Sequence, residues 1–300
     1  MISKTYLWDK IYWTRRLKMV KILIVGNGFL GKNLHNIAIK NKISIEISDY
    51  KKNGIDVTNI SSIDKFFEIH CPEIVVNCSA ISQVDECEKN PKHALNVNAY
   101  GAENVAKVCK KYNTKLIHIS TDSVFNGKKG MYTESDKLEP KNEYARTKKI
   151  GEELVRKTLD NHIIIRTNFY GKNENGNNLF DWILNSLENN EKITGFSDVI
   201  FNPLEINNLC SMIIELISSK FLGTIHLTSN EIFSKFEFCK KIAFYLEYPE
   251  ELVKKGISTN ANLIAKRPLN TTLSNKLSKT ILKTKQITLQ TFLEEFKAKL

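Results

Sequence analysis

The sequence is poor in the marks of a metal protein, a disulfide scaffold or a membrane protein. Its six cysteines, Cys71, Cys78, Cys87, Cys109, Cys210 and Cys239, form no C-x-x-C pair and no metal-ligand spacing. The six histidines are scattered, with no H-x-x-x-H pair among them. No structural metal is therefore expected. Several of the cysteines fall at apolar-periodic positions, where a free thiol behaves as a small buried hydrophobe, and a reducing cytoplasm is the expected compartment. No apolar run approaches bilayer-spanning length, and there is no internal repeat. Residues 1–18 lack the continuous apolar centre of a signal peptide, yet they carry Tyr6, Leu7, Trp8, Ile11, Tyr12 and Trp13 among basic residues. One reading of this stretch is an interfacial or partner-docking arm. The other, which we favour, is an upstream start, because Met19-Val20-Lys21-Ile22 begins like the first strand of a nucleotide-binding domain.

What the chain does contain is an ordinary globular composition over 300 residues, 42% apolar and 26% charged. That suits one large domain, or a domain with a smaller lobe. The net charge of +11 is spread along the chain rather than gathered into a stripe. A nucleic-acid reader would concentrate its Lys and Arg with exposed aromatics, so nucleic acid is not an expected partner. The field instead suits small anions such as dinucleotides or nucleotide sugars.

From residue 20 onward, apolar strand runs alternate with helical periodicity. Strands are predicted over 21–25, 43–48, 73–77, 115–120 and 163–166, with helices to about 40 and over 62–69, 91–112 and 143–159. Such alternation argues for a doubly wound Rossmann-type parallel sheet, an α/β fold with ligands at the carboxyl ends of its strands. After Gly171 the pattern changes to a polar loop, then mixed helices over 179–189, 204–218, 235–246 and 288–299 and a strand over 224–227. The expected organisation is an extension at 1–18, a dinucleotide-binding domain at 19–171, and a smaller substrate lobe at 172–300. That lobe is interleaved with segments that return to complete the sheet.

Gly26-Asn27-Gly28-Phe29-Leu30-Gly31 follows the first strand and opens a helix. In that context glycines permit a tight turn and close backbone approach to a pyrophosphate, while the helix N-terminus supplies positive potential. Asp49 ends the second strand about twenty residues on, where a carboxylate binds ribose hydroxyls. It argues for NAD, whereas the adjoining Lys51 and Lys52 suit a 2′-phosphate, so NADH and NADPH both remain open. Downstream come Ser120-Thr121-Asp122 and Tyr144-Ala-Arg-Thr-Lys148. Residues four apart share a helix face, so Tyr144 and Lys148 project into one cleft. A lysine ammonium there is expected to lower the tyrosine pKa, and Thr121 to hold the oxygen that Tyr144 protonates. Arg166 is either a phosphate grip or a structural ion-pair partner.

Further motifs carry a resemblance. Pro72-Glu-Ile-Val-Val-Asn77-Cys-Ser-Ala80, Val84-Asp85-Glu-Cys-Glu-Lys-Asn-Pro91, Val97-Asn98-Ala-Tyr-Gly101, His118-Ile-Ser-Thr-Asp122-Ser-Val-Phe125 and Asn142–Glu153 resemble the extended short-chain dehydrogenase/reductases. Within these, the chain is similar to the dTDP-4-dehydrorhamnose reductase-like family. The likeness is strong to about residue 171 and more diffuse through Phe201-Asn-Pro-Leu204, Gly223-Thr-Ile-His226 and Arg267-Pro-Leu-Asn-Thr271. It implies reduction of a 4-keto nucleotide sugar with NADPH or NADH, serving deoxysugar or surface-polysaccharide synthesis. Thr121, Tyr144 and Lys148 would be the catalytic triad. Gly26, Gly28, Phe29, Leu30, Gly31, Asp49, Asp56, Val57, Cys78, Ser79, Ala80, Tyr144 and Lys148 would hold the cofactor. Thr121, Asp122, Ser123, Asn168, Asn202 and Arg267 would face the sugar nucleotide, with Asn98 supporting the site or simply packing its helix. The chain departs from the family at Ser123, where the reductases carry tyrosine, and in a glycine turn one residue short. Dehydratases of the superfamily carry an Asp-Glu pair where this chain has Asp122-Ser123, which favours a reductase. An NAD-retaining 4-epimerase and a non-catalytic dinucleotide-binding regulatory subunit stay open, as does the oligomeric state, a homodimer included.

Overall fold

The computed structural model describes residues 21–48, 50, 54–173, 176 and 178–299. The segment 1–18, the acid Asp49, and Lys51 and Lys52 lie outside the described residues. The first half runs β1 (Ile22–Val25), α1 (Phe29–Lys40), β2 (Ile45–Ser48), α2 (Ile60–His70), β3 (Ile74–Asn77), α3 (Gly101–Lys111), β4 (Lys115–Thr121), α4 (Glu143–Thr158) and β5 (His162–Thr167). Two later elements, α5 (Ile206–Ile217) and β6 (Gly223–Leu227), join the same body. All six strands are parallel, in the order β2-β1-β3-β4-β5-β6.

Covering both faces is what the strand residues require. Ile22 and Ile24 of β1 pack with Leu30 and Leu34 of α1 and Leu209 and Ile213 of α5. The alternate residues Leu23 and Val25 pack on the other side with Ile63 and Phe67 of α2 and Val105 of α3. A strand apolar on every residue is thus buried on both faces, as parallel sheets demand. The chain leaves β1 for β2 on one side and later for β3 on the other. The crevice at the carboxyl ends of β1 and β3 is therefore the topological switch point, where ligands of such folds bind.

A second hydrophobic core lies beyond the sheet, around Phe180, Ile183, Phe238, Ile242 and Leu293. Three two-stranded pairings accompany it: Ile193–Phe196 with Val253–Gly256, Ile200–Phe201 with Phe233–Ser234, and Phe169–Tyr170 with Leu204–Glu205. The long helix expected over 91–112 is interrupted. Pro91–Leu95 is α-helical, Asn96–Tyr100 is a π-helical turn, and α3 resumes at Gly101. The bulge has a tertiary cause. Asn98 accepts from the Ile81 amide through Oδ1 at 2.8 Å and donates from Nδ2 to the Ile81 carbonyl at 3.1 Å. Its own carbonyl lies where a Cβ at Gly151 of α4 would stand 2.5 Å away. The expected helix over 204–218 also starts late, at Ile206, because Glu205 is its cap and accepts from the Asn208 amide at 2.8 Å.

One buried carboxylate ties α4 to the sheet. Glu152 accepts from Ser120 Oγ on β4 (2.5 Å), from Arg166 Nε and Nη2 on β5 (3.0 and 2.8 Å), and from Arg156 Nη2 (2.6 Å). Burial pushes this carboxyl upward, but the Arg166 guanidinium and the Ser120 hydroxyl hold it below its ordinary value. Arg166 is thus an ion-pair partner, only 2% exposed, stacked 5.3 Å from the Phe125 ring. Glu152→Ala leaves that guanidinium buried and unpaired, a loss of about 3–5 kcal/mol. Urea unfolding of the two proteins measures it, and a change below about 1 kcal/mol would show the pair to be dispensable.

Candidate active site

The crevice is built from backbone first. Gly26 has φ +107°, a conformation that side chains rarely adopt, and a Cβ there would stand 2.8 Å from the Ser79 amide nitrogen. Gly31 packs its α-carbon against the Gly26 carbonyl, so α1 starts hard against the turn. Gly28 caps α1 with no capping side chain, and nothing lies within 4 Å of where its Cβ would point. Amide groups of an uncapped first turn beside open space form an anion site. Phe29 is half-buried and Leu30 is buried under this turn. Ser79 donates to Asn77 Oδ1 from both its amide (3.1 Å) and its hydroxyl (2.6 Å), which orders the loop Cys78–Ala80 along the crevice. Ala80 is exposed and Cys78 half-buried.

Beyond the turn, Asp56 accepts from the Thr58 amide (2.9 Å) and hydroxyl (2.7 Å) through Oδ1. Val57 is buried, and its carbonyl accepts from Asn104 Nδ2 at 3.0 Å. Among the described residues, the buried side-chain oxygen without a hydrogen-bond partner is Thr167 Oγ1, opposite Thr121 in the β4–β5 register. An uncapped helix end, an open glycine and an orphan hydroxyl at the strand ends together fit a dinucleotide. No helix among the described residues is long and apolar enough to cross a membrane.

The catalytic candidates converge on the same edge. Asn142 caps α4, accepting from the Ala145 amide at 2.9 Å while its Nδ2 donates to the Lys266 carbonyl at 2.8 Å. Tyr144 follows in the first turn, half-buried, with its phenol set against the Thr121 hydroxyl. Thr121 ends β4. Its hydroxyl donates to Asp122 Oδ1 at 3.1 Å and accepts from the Ser123 amide at 3.2 Å. One turn beyond Tyr144, Lys148 is 2% exposed and donates to the Ile119 carbonyl at 2.6 Å.

Here the charge state departs from expectation. Burial pushes the Tyr144 phenol up to about 12, against the pull of its Thr121 hydrogen bond and with the Asp122 charge adding to the rise. Burial likewise lowers Lys148 to about 8, only partly offset by the Glu152 carboxylate. Desolvation therefore outweighs the charge stabilisation inferred from the Y-x-x-x-K spacing. The protonated phenol is the stable form through the neutral range, the form a proton donor needs.

Asp122, Ser123 and Asn168 come together. Asp122 is 2% exposed, and its Oδ2 accepts from Asn168 Nδ2 (2.9 Å) and Thr271 Oγ1 (2.6 Å), while Ser123 Oγ donates to Oδ1 at 3.1 Å. The other two substrate candidates are engaged elsewhere. Asn202 braces backbone, donating to the carbonyls of Ser229 and Leu273 and accepting from the Leu273 amide at 2.9 Å. Arg267 pairs with Asp85 at 2.9 Å, latching its loop to the short helix Val84–Lys89. Sequence reasoning assigned no role to Thr271, Glu152, His118 or Lys235. The i, i+4, i+8 series Tyr144, Lys148, Glu152 was a readable signal. So was the β-strand alternation that puts His118 on the face of Ser120. Lys235 had none: its ammonium sits 3.2 Å from the Phe201 ring centroid, and burial lowers it to about 8 against the pull of the Asp122 charge.

Comparison with known proteins gives a consistent picture. The family model described as the RmlD substrate binding domain matches residues 20–300. The spore coat polysaccharide biosynthesis protein SpsK of Bacillus subtilis is 34% identical over 227 residues, covering 75% of this chain and 78% of that protein. A dTDP-4-dehydrorhamnose reductase of Aggregatibacter actinomycetemcomitans is 28% identical, covering 85% of this chain and 90% of that protein. Among solved structures, the dTDP-4-dehydrorhamnose reductase of Bacillus anthracis in complex with NADP superposes with a TM-score of 0.87 at 31% identity. That match covers 94% of this chain and 99% of that one.

The buried lysine has a measurable signature. Its folded value of about 8 lies below the ordinary 10.5, so between these the unfolded chain binds more protons and stability rises with pH. The penalty is full below about pH 8 and is relieved on the way to 10.5. Relative to Lys148→Met, the parent should gain on the order of 2–3 kcal/mol across that window. Urea denaturation series at several pH values test it, and parallel pH dependences for the two proteins would refute it.

Proposed function

The chain belongs to the RmlD substrate binding domain family, and we propose that it reduces the keto group of a 4-keto nucleotide sugar with NADPH or NADH. The product would feed deoxysugar or surface-polysaccharide synthesis, in keeping with the polysaccharide biosynthesis named for SpsK. The observation that carries the reading is Tyr144: a phenol kept protonated by burial and set against Thr121, beside a crevice that fits a dinucleotide. In this reading residues 19–171 hold the dinucleotide and 172–300 supply most of the sugar-nucleotide lobe. Gly26, Gly28, Phe29, Leu30 and Gly31 take the pyrophosphate, Asp49, Asp56 and Val57 the adenosine end, and Cys78, Ser79, Ala80 and Lys148 the nicotinamide half.

Bound there, the reduced nicotinamide supplies the hydride. On substrate binding the Thr121 hydroxyl turns from Asp122 Oδ1 to donate to the carbonyl oxygen and fixes it against the Tyr144 hydroxyl. Tyr144 gives that oxygen its proton as negative charge develops, and Lys148 stands next in line to recharge the phenolate. Asp122 takes no proton in this scheme. Clamped by Asn168 and Thr271, it holds the Thr121 hydroxyl until the substrate oxygen takes its place, and it holds the loop that carries Ser123. The missing second carboxylate after Asp122 supports reduction over elimination of water, a step that needs an additional acid-base pair.

Purified protein given dTDP-4-dehydrorhamnose generated in situ should oxidise NADPH or NADH, and the ratio of the two rates gives the cofactor preference. Tyr144→Phe should lower kcat by about 10²–10⁴ and leave dinucleotide affinity within about twofold. Thr121→Val should cost about 10²–10³ in kcat. Dinucleotide binding without turnover of any 4-keto sugar nucleotide would overturn the reading in favour of a regulatory role.

A further inference from the structure

The second lobe brings to the reaction centre a cation that the scheme above does not use. Lys235 opens the helix Lys235–Tyr245, and its backbone is fixed on both sides. Its amide donates to the Val199 carbonyl at 2.9 Å, while Phe233–Ser234 just before it pairs with Ile200–Phe201. That short strand is tied in turn to the segment that reaches the site. The Thr271 amide donates to the Ile200 carbonyl at 3.0 Å, and Thr271 Oγ1 donates to Asp122 Oδ2 at 2.6 Å. Only the strand Ile200–Phe201 therefore lies between the backbone of Lys235 and the residue that clamps Asp122, the neighbour of Thr121.

The half-buried Lys235 rests its ammonium on the Phe201 ring, 3.2 Å from the centroid, and that ring is itself 2% exposed and braced edge-on by Phe238. An ammonium has three donors. Among the described residues, those of Lys235 meet no hydrogen-bond acceptor and no carboxylate. The acids nearby are already engaged. Glu237 closes the cap of its own helix, accepting from the Ser234 amide at 2.7 Å. Asp122 accepts from Thr121, Ser123, Asn168 and Thr271, and acts on Lys235 only through space. Arg267, the cation of this lobe expected to face the substrate, is neutralised by Asp85. Burial lowers Lys235 to about 8 and the Asp122 charge opposes that fall, so the ammonium is the main form at neutral pH. Cys239, one turn further along the helix, is kept a neutral thiol by burial.

A charge laid on an aromatic plate, held by backbone on both sides and left without a counter-ion, suits a ligand that brings one. We propose that Lys235 is a substrate-binding residue that determines specificity: its ammonium takes an anionic oxygen of the nucleotide sugar while Thr121 and Tyr144 hold the keto oxygen. This rests on the reductase reading and deepens it, because it names a contact made by the second lobe. Two parts of such a substrate carry oxygens of that charge. The diphosphate is present in every nucleotide sugar, and a carboxylate is present on the ring of an acidic one. The Phe201 ring shields one side of the ammonium from water, which strengthens its attraction for either. A lysine that merely covered Phe201 would serve stability and be indifferent to ligands.

Binding tests this without turnover. The full-length parent, Lys235→Met and Lys235→Arg are titrated calorimetrically, with NADP⁺ or NAD⁺ present, against dTDP, dTDP-glucose and dTDP-glucuronic acid. Losing one charged contact should weaken binding about 10- to 100-fold in Lys235→Met. It should also flatten the salt dependence, and Lys235→Arg should restore most of both. Weakening towards all three ligands assigns the diphosphate, and weakening towards dTDP-glucuronic acid alone assigns a sugar carboxylate. Equal affinities of the parent and Lys235→Met for every ligand the parent binds would overturn the proposal, as would a parent that binds none of them. Lys235→Met keeps the apolar stem over Phe201 and removes a partly buried charge, so it should fold. A lowered melting temperature with unchanged affinities would make Lys235 a packing residue. In an active enzyme the loss should fall on KM for the nucleotide sugar, with kcat within about twofold. Weakened binding in Lys235→Met, with no 4-keto sugar reduced by the parent, would uphold the inference and refute the reductase reading alone.

Discussion

Everything at the candidate site hangs on where α4 lies against the sheet, and that is set by a carboxylate with no access to solvent. Glu152 binds side chains from β4 and β5 at once, and Arg166 carries the link onward to the Glu134 carbonyl and, at 3.4 Å, to His226 of β6. Apolar packing alone would let a helix slide or rotate slightly over a sheet of isoleucines and valines. Three directional, charge-assisted contacts do not allow it. With the last two turns of α4 pinned in this way, Lys148 must sit over His118 and Ile119. Tyr144, one turn further, must then meet Thr121 at the end of β4. The close approach of α4 to the Asn98 turn through Gly151 fixes the opposite side of the same helix.

The parts that could be read from the sequence are those whose physics is local. Four-residue spacing put Tyr144 and Lys148 on one helix face, and the apolar runs announced the parallel strands. The glycine turn announced the tight turn that opens α1 at the end of β1. The parts that could not be read depend on what meets across the fold. The π-turn at Asn96–Tyr100 leaves no trace in the helical periodicity, since its cause is a side chain bonding to Ile81 far away in the chain. Thr271 reaches Asp122 from 149 residues downstream. Arg267 and Asn202 likewise find their partners, Asp85 and the Leu273 backbone, 182 and 71 residues away in the chain.

Electrostatics show the same division. A lysine next to a tyrosine in sequence implies mutual charge stabilisation, a sound argument for groups in water. Desolvation belongs to the folded state, and in this crevice it dominates both groups, pushing Tyr144 up to about 12 and Lys148 down to about 8. The net effect keeps the phenol protonated through the neutral range and brings the lysine ammonium closer to giving up its proton. A motif names the participants in a proton transfer, but their resting states are decided by how deeply the fold buries them.

The placement of β6 beside β5 has a bearing on how the chain is made. Between these neighbouring strands lies everything from Phe169 to Phe221, including part of the second core. On the ribosome, β5 therefore emerges and joins β4 long before its outer edge can be covered. For that interval the nascent protein presents a strand with three consecutive isoleucines, Ile163, Ile164 and Ile165, and unpaired backbone groups, the kind of edge that pairs with other chains. Translation of the segment up to Leu227, rather than completion of the first half, marks the moment the sheet becomes safe from aggregation. A chaperone that shields nascent chains would have its main work on this protein in that window.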